Sequence, residues 1–142
     1  MATNRAAYGT ATAITITLAS LANNGSATSS AIDNTANLFL DANVEVILVS
    51  AASGVTATGY VEVFAKGSID NADFSSDTAD RKIGTVGVVA NSTTYRAVFP
   101  VAQAFGGILP PYWQVRVRNV SGAALAASGS SATYRGIHIE TV

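Results

Sequence analysis

Short segments in which apolar and polar residues alternate recur along the chain, and this pattern constrains the fold more than any other feature. In "GYVEVFAK", Val61, Val63 and Ala65 fall on one face of an extended backbone, and the residues between them fall on the other. The other segments of this kind are "TAITITLAS", a short stretch over 29–32, "NVEVILVSAA", "KIGTVGVVA", "TTYRAVFPVA", "YWQVRVRNV" and "ATYRGIHIETV". This pattern predicts β-strands that are buried on one face.

Asn, Gly, Ser and Pro separate these segments. About eight short strands with turn residues between them predict a single antiparallel β-sandwich, either jelly-roll or immunoglobulin-like, because both topologies consist of such strands. A chain of 142 residues is long enough for one such domain, which we assign to residues 11–142. Residues 1–10 are polar and are predicted to form a flexible N-terminal arm that orders against a neighbour.

The stretch "AFGGILPPYWQVRVRN" predicts how one strand begins. Pro110 and Pro111 lack a backbone donor, so they lie outside a central strand or at its first residue. Beyond them the alternation places Trp113 on the inner face, where the largest side chain fills the core. Arg116 and Arg118 fall on the opposite face, which is predicted to point outward.

Composition and charge exclude several classes of partner. Charged residues make up 12% of the chain, against about 25% in an average protein. The net charge is −1 and the basic residues are scattered, so we expect no nucleic-acid partner. The sequence shows neither a secretory signal nor an apolar run of about 20 residues, so we expect no membrane partner and assembly in a cytoplasm. Since there is no cysteine, disulfides and thiolate chemistry are excluded.

No pattern typical of catalysis is evident. His138 is the only histidine, and its neighbours Ile137 and Ile139 face the other side of a predicted strand, so we expect it on a strand surface. A Ser-His-Asp triad would need this residue as its base, and no Gly-x-Ser-x-Gly motif accompanies it. The interpretation is a protein that is not an enzyme, with neither catalytic residues nor a cofactor.

The segment "DNADFSSDTAD", from Asp70 to Asp80, has no periodicity and is predicted to be a surface loop. Its aspartates are Asp70, Asp73, Asp77 and Asp80. Carboxylates are calcium ligands, but their spacing does not match a known calcium loop, and two basic residues follow directly. The pattern favours a solvated acidic loop over a metal site, and calcium binding stays open.

Low charge and many small side chains favour self-association or docking on a partner, because stable interfaces deplete charge and enrich aromatic residues. The alternative is that the aromatic residues pack under loops. Tyr112 has a further alternative, which is stacking on a sugar ring. The predicted interface residues are Tyr60, Phe64, Tyr95, Pro110, Pro111, Tyr112, Arg116 and Arg118.

Three stretches, "SSAIDNTANLFLDANVEV", "FGGILPPYWQVRVRN" and "SGAAL", resemble a family of small virion structural proteins of tailed bacteriophages. The resemblance extends from about Ile14 to Val142 and implies an all-β virion component that is assembled in the host cytoplasm. We interpret the chain as a capsid decoration or cement protein, whose partners are the major capsid protein or other virion proteins. A homo-oligomer is expected, with a trimer favoured. The alternative is a tail- or fibre-associated module for assembly or host-glycan binding.

Overall fold

The alternating segments form two antiparallel sheets in the computed structural model, which describes residues 2–142. The strands of this part of the chain are β1 (Asn4–Tyr8), β2 (Thr12–Ala13), β3 (Ser26–Thr28), β4 (Ile32–Asp33), β5 (Asp41–Val49), β6 (Tyr60–Ser68), β7 (Arg81–Gly87), β8 (Thr94–Pro100), β9 (Tyr112–Val120) and β10 (Ser131–Thr141). A 3₁₀ turn spans Ala102–Phe105. The described residues include no helix that is long and apolar enough to cross a membrane.

The short strands share positions at the sheet edges. In the first sheet the order is β1-β10-β5-β8, and β2 also pairs with β10, next to the stretch that β1 occupies. In the second sheet the order is β3-β9-β6-β7, and β4 pairs with β9 beside β3. Each sheet therefore has four strand positions within residues 2–142, which matches the predicted number of strands.

Strand order distinguishes the two predicted topologies. When the positions are numbered along the chain, the first sheet reads 1-8-3-6 and the second reads 2-7-4-5. Between these eight positions, within residues 2–142, only the connection from position 4 to position 5, which is β6 to β7, stays in one sheet, and the other connections cross between sheets. An immunoglobulin-like sandwich instead keeps its first two strands in one sheet. The β-sandwich prediction is confirmed, and the strand order is that of a jelly roll.

Small apolar side chains fill the space between the sheets. Val44 and Val46 of β5 and Val61 and Val63 of β6 belong to one core cluster, and all four are fully buried. Trp113 is only 1% exposed, and its ring meets the Tyr134 ring edge-on at a centroid distance of 5.4 Å. The predicted core position of Trp113 is confirmed.

Two predicted strands differ from the structure. In "TAITITLAS" only Thr12–Ala13 joins a ladder, because the segment then leaves the first sheet. The Thr15 carbonyl accepts from the N–H of Ser30, which lies between β3 and β4 of the second sheet. The stretch over 29–32 is interrupted at Ser29, whose Oγ accepts from Val115 N–H at 3.0 Å. Because the Ser29 hydroxyl, rather than a backbone carbonyl, accepts this hydrogen bond, the strand that pairs with β9 divides into β3 and β4.

The predicted flexible arm over residues 1–10 also differs from the structure. Asn4–Tyr8 pairs with β10, and Thr3 and Val142 exchange two backbone hydrogen bonds. This pairing is possible because β10 continues past its last partner in β5, which is Asp41 opposite Ile137. The arm therefore orders against its own chain, while Met1 lies outside the described residues.

Phe99 of the edge strand β8 packs against the edge strand β7 of the other sheet. Its ring occupies the space beside Gly84, where a Cβ atom would lie only 2.1 Å from the ring. Gly87, on the same strand, has no heavy atom within 4 Å of the corresponding position. The absence of a side chain at Gly84 is thus required for the ring to lie between the sheets.

We expect Gly84→Ala to lower the free energy of unfolding by about 1–3 kcal/mol, because the Phe99 ring must move out of its place. Gly87→Ala is the matched control on the same strand and should change the free energy by less than about 0.5 kcal/mol. Urea denaturation of both variants measures the difference. Equal destabilisation of the two would contradict the account of how Phe99 packs.

Candidate interaction surfaces

Arg116 lies on the outer face of the second sheet, as predicted, but it is only 6% exposed. Its Nε donates to Asp80 Oδ2 at 2.5 Å, and its Nη1 donates to Ser26 Oγ at 3.0 Å. The guanidinium carbon lies 4.1 Å from the centre of the Phe64 ring, a cation–π contact. The expectation of an outward arginine available to a partner is wrong, because the loop that carries Asp80 folds over this part of the sheet.

Three of the four aspartates of the Asp70–Asp80 loop, Asp70, Asp77 and Asp80, bind groups of their own chain, whereas Asp73 is exposed. The Asp80 carboxylate is 2% exposed, and its hydrogen bond with Arg116 raises the pKa of that guanidinium above its ordinary value. Asp77 accepts from Lys66 Nζ at 2.5 Å, and this hydrogen bond lowers the pKa of Asp77. The loop is therefore a folded cover whose Asp80 is buried, rather than a solvated segment throughout.

Asp70 is one of the carboxylates that could bind calcium, and its oxygen already accepts hydrogen bonds within the loop. Its Oδ1 accepts from the backbone N–H groups of Ala72 and Asp73 and from Ser68 Oγ. These bonds, led by the one from Ala72, lower the pKa of Asp70. Within residues 2–142, no three His, Cys, Asp or Glu side chains are grouped as a metal site would require. The carboxylate thus organises the turn in which it lies.

The predicted aromatic interface residues do not form one surface. Tyr60 is 36% exposed on the outer face of the second sheet, while Phe64 on the same strand is covered by Arg116. Tyr95 pairs with the buried Leu48 and faces the inside of the first sheet. Its hydroxyl accepts from the N–H groups of residues 89 and 90, so it packs under a loop, which was the alternative interpretation.

The remaining candidates lie at the ends of β9. Arg118 is exposed and forms an ion pair with Glu62 at 3.6 Å. Tyr112 is half-buried at the start of β9, where it pairs with Asp33. Pro110 is half-buried and Pro111 is exposed, and both precede the strand as predicted.

Exposed apolar side chains instead concentrate where two loops meet at one end of the sandwich. Leu38 is 70% exposed, Leu40 is 43% exposed and Ile108 is 64% exposed. With Pro111 they border a groove of about 340 Å³. We call Leu38, Leu40, Ile108 and Pro111 the loop-end patch. All the residues that line the groove are uncharged.

Hydrogen bonds hold the patch in place. The Asn34 side chain accepts from Phe39 N–H and donates to the Phe39 carbonyl, each at 2.9 Å, which closes the loop between them. Leu38 has a φ of 50°, an unusual conformation for a residue other than glycine. Leu109 N–H donates to the Leu40 carbonyl at 3.0 Å and joins the second loop to the first. The exposed side chains are therefore presented by an ordered backbone.

A second concave surface lies on the outer face of the first sheet. Its volume is about 430 Å³, and Tyr8, which is 64% exposed, forms one side. The other residues that line it are Ala11, Asn43, Glu45, Val98, Thr133, Tyr134 and Arg135. We call this surface the sheet groove.

His138 is less exposed than predicted. The residue is half-buried, and its ring lies 5.9 Å from the Phe39 ring. Its Nδ1 is buried without a hydrogen-bond partner within residues 2–142. The prediction of a surface position is therefore wrong, because the loop that carries Phe39 covers the ring.

No protein-family model and no characterised protein sequence matches the chain. Among solved structures, a xylan-binding module, CBM15, has 17% sequence identity and a TM-score of 0.48, with 94% of this chain and 90% of that chain covered. The CBM22-1 xylan-binding domain of Paenibacillus barcinonensis Xyn10C has 10% identity and a TM-score of 0.40, with 99% and 85% covered. A structure of infectious bursal disease virus, Gt strain, has 13% identity and a TM-score of 0.49, with 98% and 32% covered. Similarity at this level carries no argument about function.

Asp80→Ala should lower the free energy of unfolding by about 3–5 kcal/mol, because it leaves Arg116 buried without its carboxylate. Asp73→Ala is the control: Asp73 lies in the same loop, is exposed and forms no salt bridge within residues 2–142, so its loss should have a much smaller effect. The double variant Asp80→Leu/Arg116→Met should recover part of the loss, since it removes the unpaired charge. Thermal unfolding compares the three variants, and similar effects of Asp80→Ala and Asp73→Ala would contradict the buried pair of Asp80 and Arg116.

Proposed function

We propose that this chain is a non-enzymatic structural protein of a tailed-bacteriophage virion, which binds the assembled head as a decoration or cement protein. The observation that carries the proposal is the loop-end patch. Its three aliphatic side chains project from hydrogen-bonded loops at one end of the sandwich. The sequence resemblance to small virion structural proteins supports the same assignment.

The chemistry of the patch favours a protein partner. Clustered exposed apolar side chains are typical of protein–protein contact sites, because water solvates them poorly. The groove beside them has no charged lining residue, and the centres of protein interfaces are likewise depleted of charge. An apolar depression on a capsid shell would bury Leu38, Leu40 and Ile108 together. Binding would then stabilise the shell without any chemical step.

Firm attachment would require more than one patch. A standard stable interface buries about 1,600 Å² in total, more than four side chains provide. A homo-oligomer, with a trimer favoured, would present several patches to a symmetric lattice and so raise the overall affinity. Only the assembled head would offer matching sites, so the affinity would belong to the lattice rather than to free subunits.

A tail or fibre location is the second candidate, since the same patch could dock on a tail protein. Host-glycan binding through Tyr112, however, gains no support, because this residue is half-buried. A free aromatic face is what stacking on a sugar requires.

We expect Ile108→Ser to weaken binding to heads by about ten- to a hundredfold per copy, because a buried isoleucine contributes about 1.5–3 kcal/mol. Ile69→Ser is the matched control, since Ile69 is 82% exposed in another loop and should be dispensable. The measurement is co-sedimentation of each purified protein with heads assembled without it. Circular dichroism of the two variants verifies that both are folded.

Equal sedimentation of the wild type and Ile108→Ser would contradict a role for the loop-end patch. Failure of the wild type to sediment with heads, together with sedimentation with isolated tails, would replace the decoration role with the second candidate.

A further inference from the structure

The sheet groove spans the whole width of the first sheet. Tyr8 of β1 lies at one side and Val98 of β8 lies at the other. Asn43 and Arg135 are cross-strand partners on the strands between them. Three strand spacings of about 4.8 Å separate the two sides, so the floor is about 14 Å wide. An elongated small ligand fits these dimensions better than a compact one.

One cation in the groove is left without a counter-charge. Glu45 forms an ion pair with Arg96 at 3.3 Å. Asp41, on the same face, accepts from Ala102 N–H at 2.7 Å and is held by the backbone. Arg135 forms no salt bridge within the described range 2–142 and is exposed. The charged residues that line the groove are therefore Glu45, which already has an ion-pair partner, and Arg135, which has none within residues 2–142.

The break between β1 and β2 keeps this guanidinium accessible. Along β10, Ile137 pairs with Tyr8 and Tyr134 pairs with Thr12, but Arg135 has no partner on that side. An exposed tyrosine ring thus lies next to an exposed guanidinium. Asn43 and Thr133 add an amide and a hydroxyl to the same surface.

We infer that the sheet groove binds an acidic saccharide. The Arg135 guanidinium matches a carboxylate and can donate two parallel hydrogen bonds to it. Asn43 and Thr133 can donate to and accept from sugar hydroxyls. The exposed face of Tyr8 can pack against the C–H face of a pyranose ring, as amphipathic aromatic side chains do at wet interfaces. This site is independent of the proposed head contact, because it uses none of the loop-end patch.

The probe is an oligogalacturonate, compared with its uncharged methyl ester, in an NMR titration of the full chain. We expect the acid to shift the amide signals of Tyr8, Asn43, Thr133 and Arg135, and the ester to bind at least about tenfold more weakly. Arg135→Gln should reduce affinity for the acid by about tenfold. Arg81→Gln is the matched control, because Arg81 is also exposed and forms no salt bridge within residues 2–142.

Several results would overturn the inference. They are no signal shifts with the acid, shifts located outside the groove, equal affinity for the acid and the ester, or equal losses in Arg135→Gln and Arg81→Gln. The last result would indicate a general charge effect. Co-sedimentation of Arg135→Gln with heads, expected to be normal, separates failure of this inference from failure of the proposed function.

Discussion

The close approach of two sheets over small side chains is the constraint on which the other features depend. Packed sheets lie about 10 Å apart, and valine and alanine are 12 of the 21 buried residues in the core cluster here. Some of the large rings enter where glycine makes room, as Phe99 does beside Gly84 and Phe39 does against Gly9 and Gly136. Because Phe39 is fixed inward, its neighbours Leu38 and Leu40 are turned toward solvent. Core packing thus determines which residues the loop end exposes.

The two sheets differ in what their outer faces can offer. On the second sheet, the Asp80–Arg116 pair draws the loop over the strands and covers Phe64, which removes this area from contact with a partner. The first sheet has no such cover, so the sheet groove stays open beside Tyr8. The accessible surfaces are therefore the loop-end patch and the outer face of the first sheet. The loop-end patch is aliphatic, whereas the sheet groove is polar and contains the guanidinium of Arg135.

Alternation along the chain was sufficient to predict the sandwich, the inward faces of β6 and β9 and the burial of Trp113, because these depend on local periodicity. It was not sufficient for β8 and β10, in which Tyr95 and His138 lie on the inward face. Strand order was not predictable, since it is set by pairings such as β1 with β10, at opposite ends of the chain. The burial of Arg116 was not predictable either, because it depends on a loop whose Asp80 lies 36 residues earlier in the chain. Leu38, Leu40 and Ile108 could have been noticed in the sequence, as large apolar residues in turn-rich stretches. The packing of the Phe39 ring against glycines could not, because those glycines are distant in the chain.

Immunogold labelling of intact virions with an antibody against this chain tests the proposed passive role on the phage head. A decoration protein should give gold particles distributed evenly over the heads in negative-stain micrographs. Gold confined to the tail or to a single vertex would contradict it.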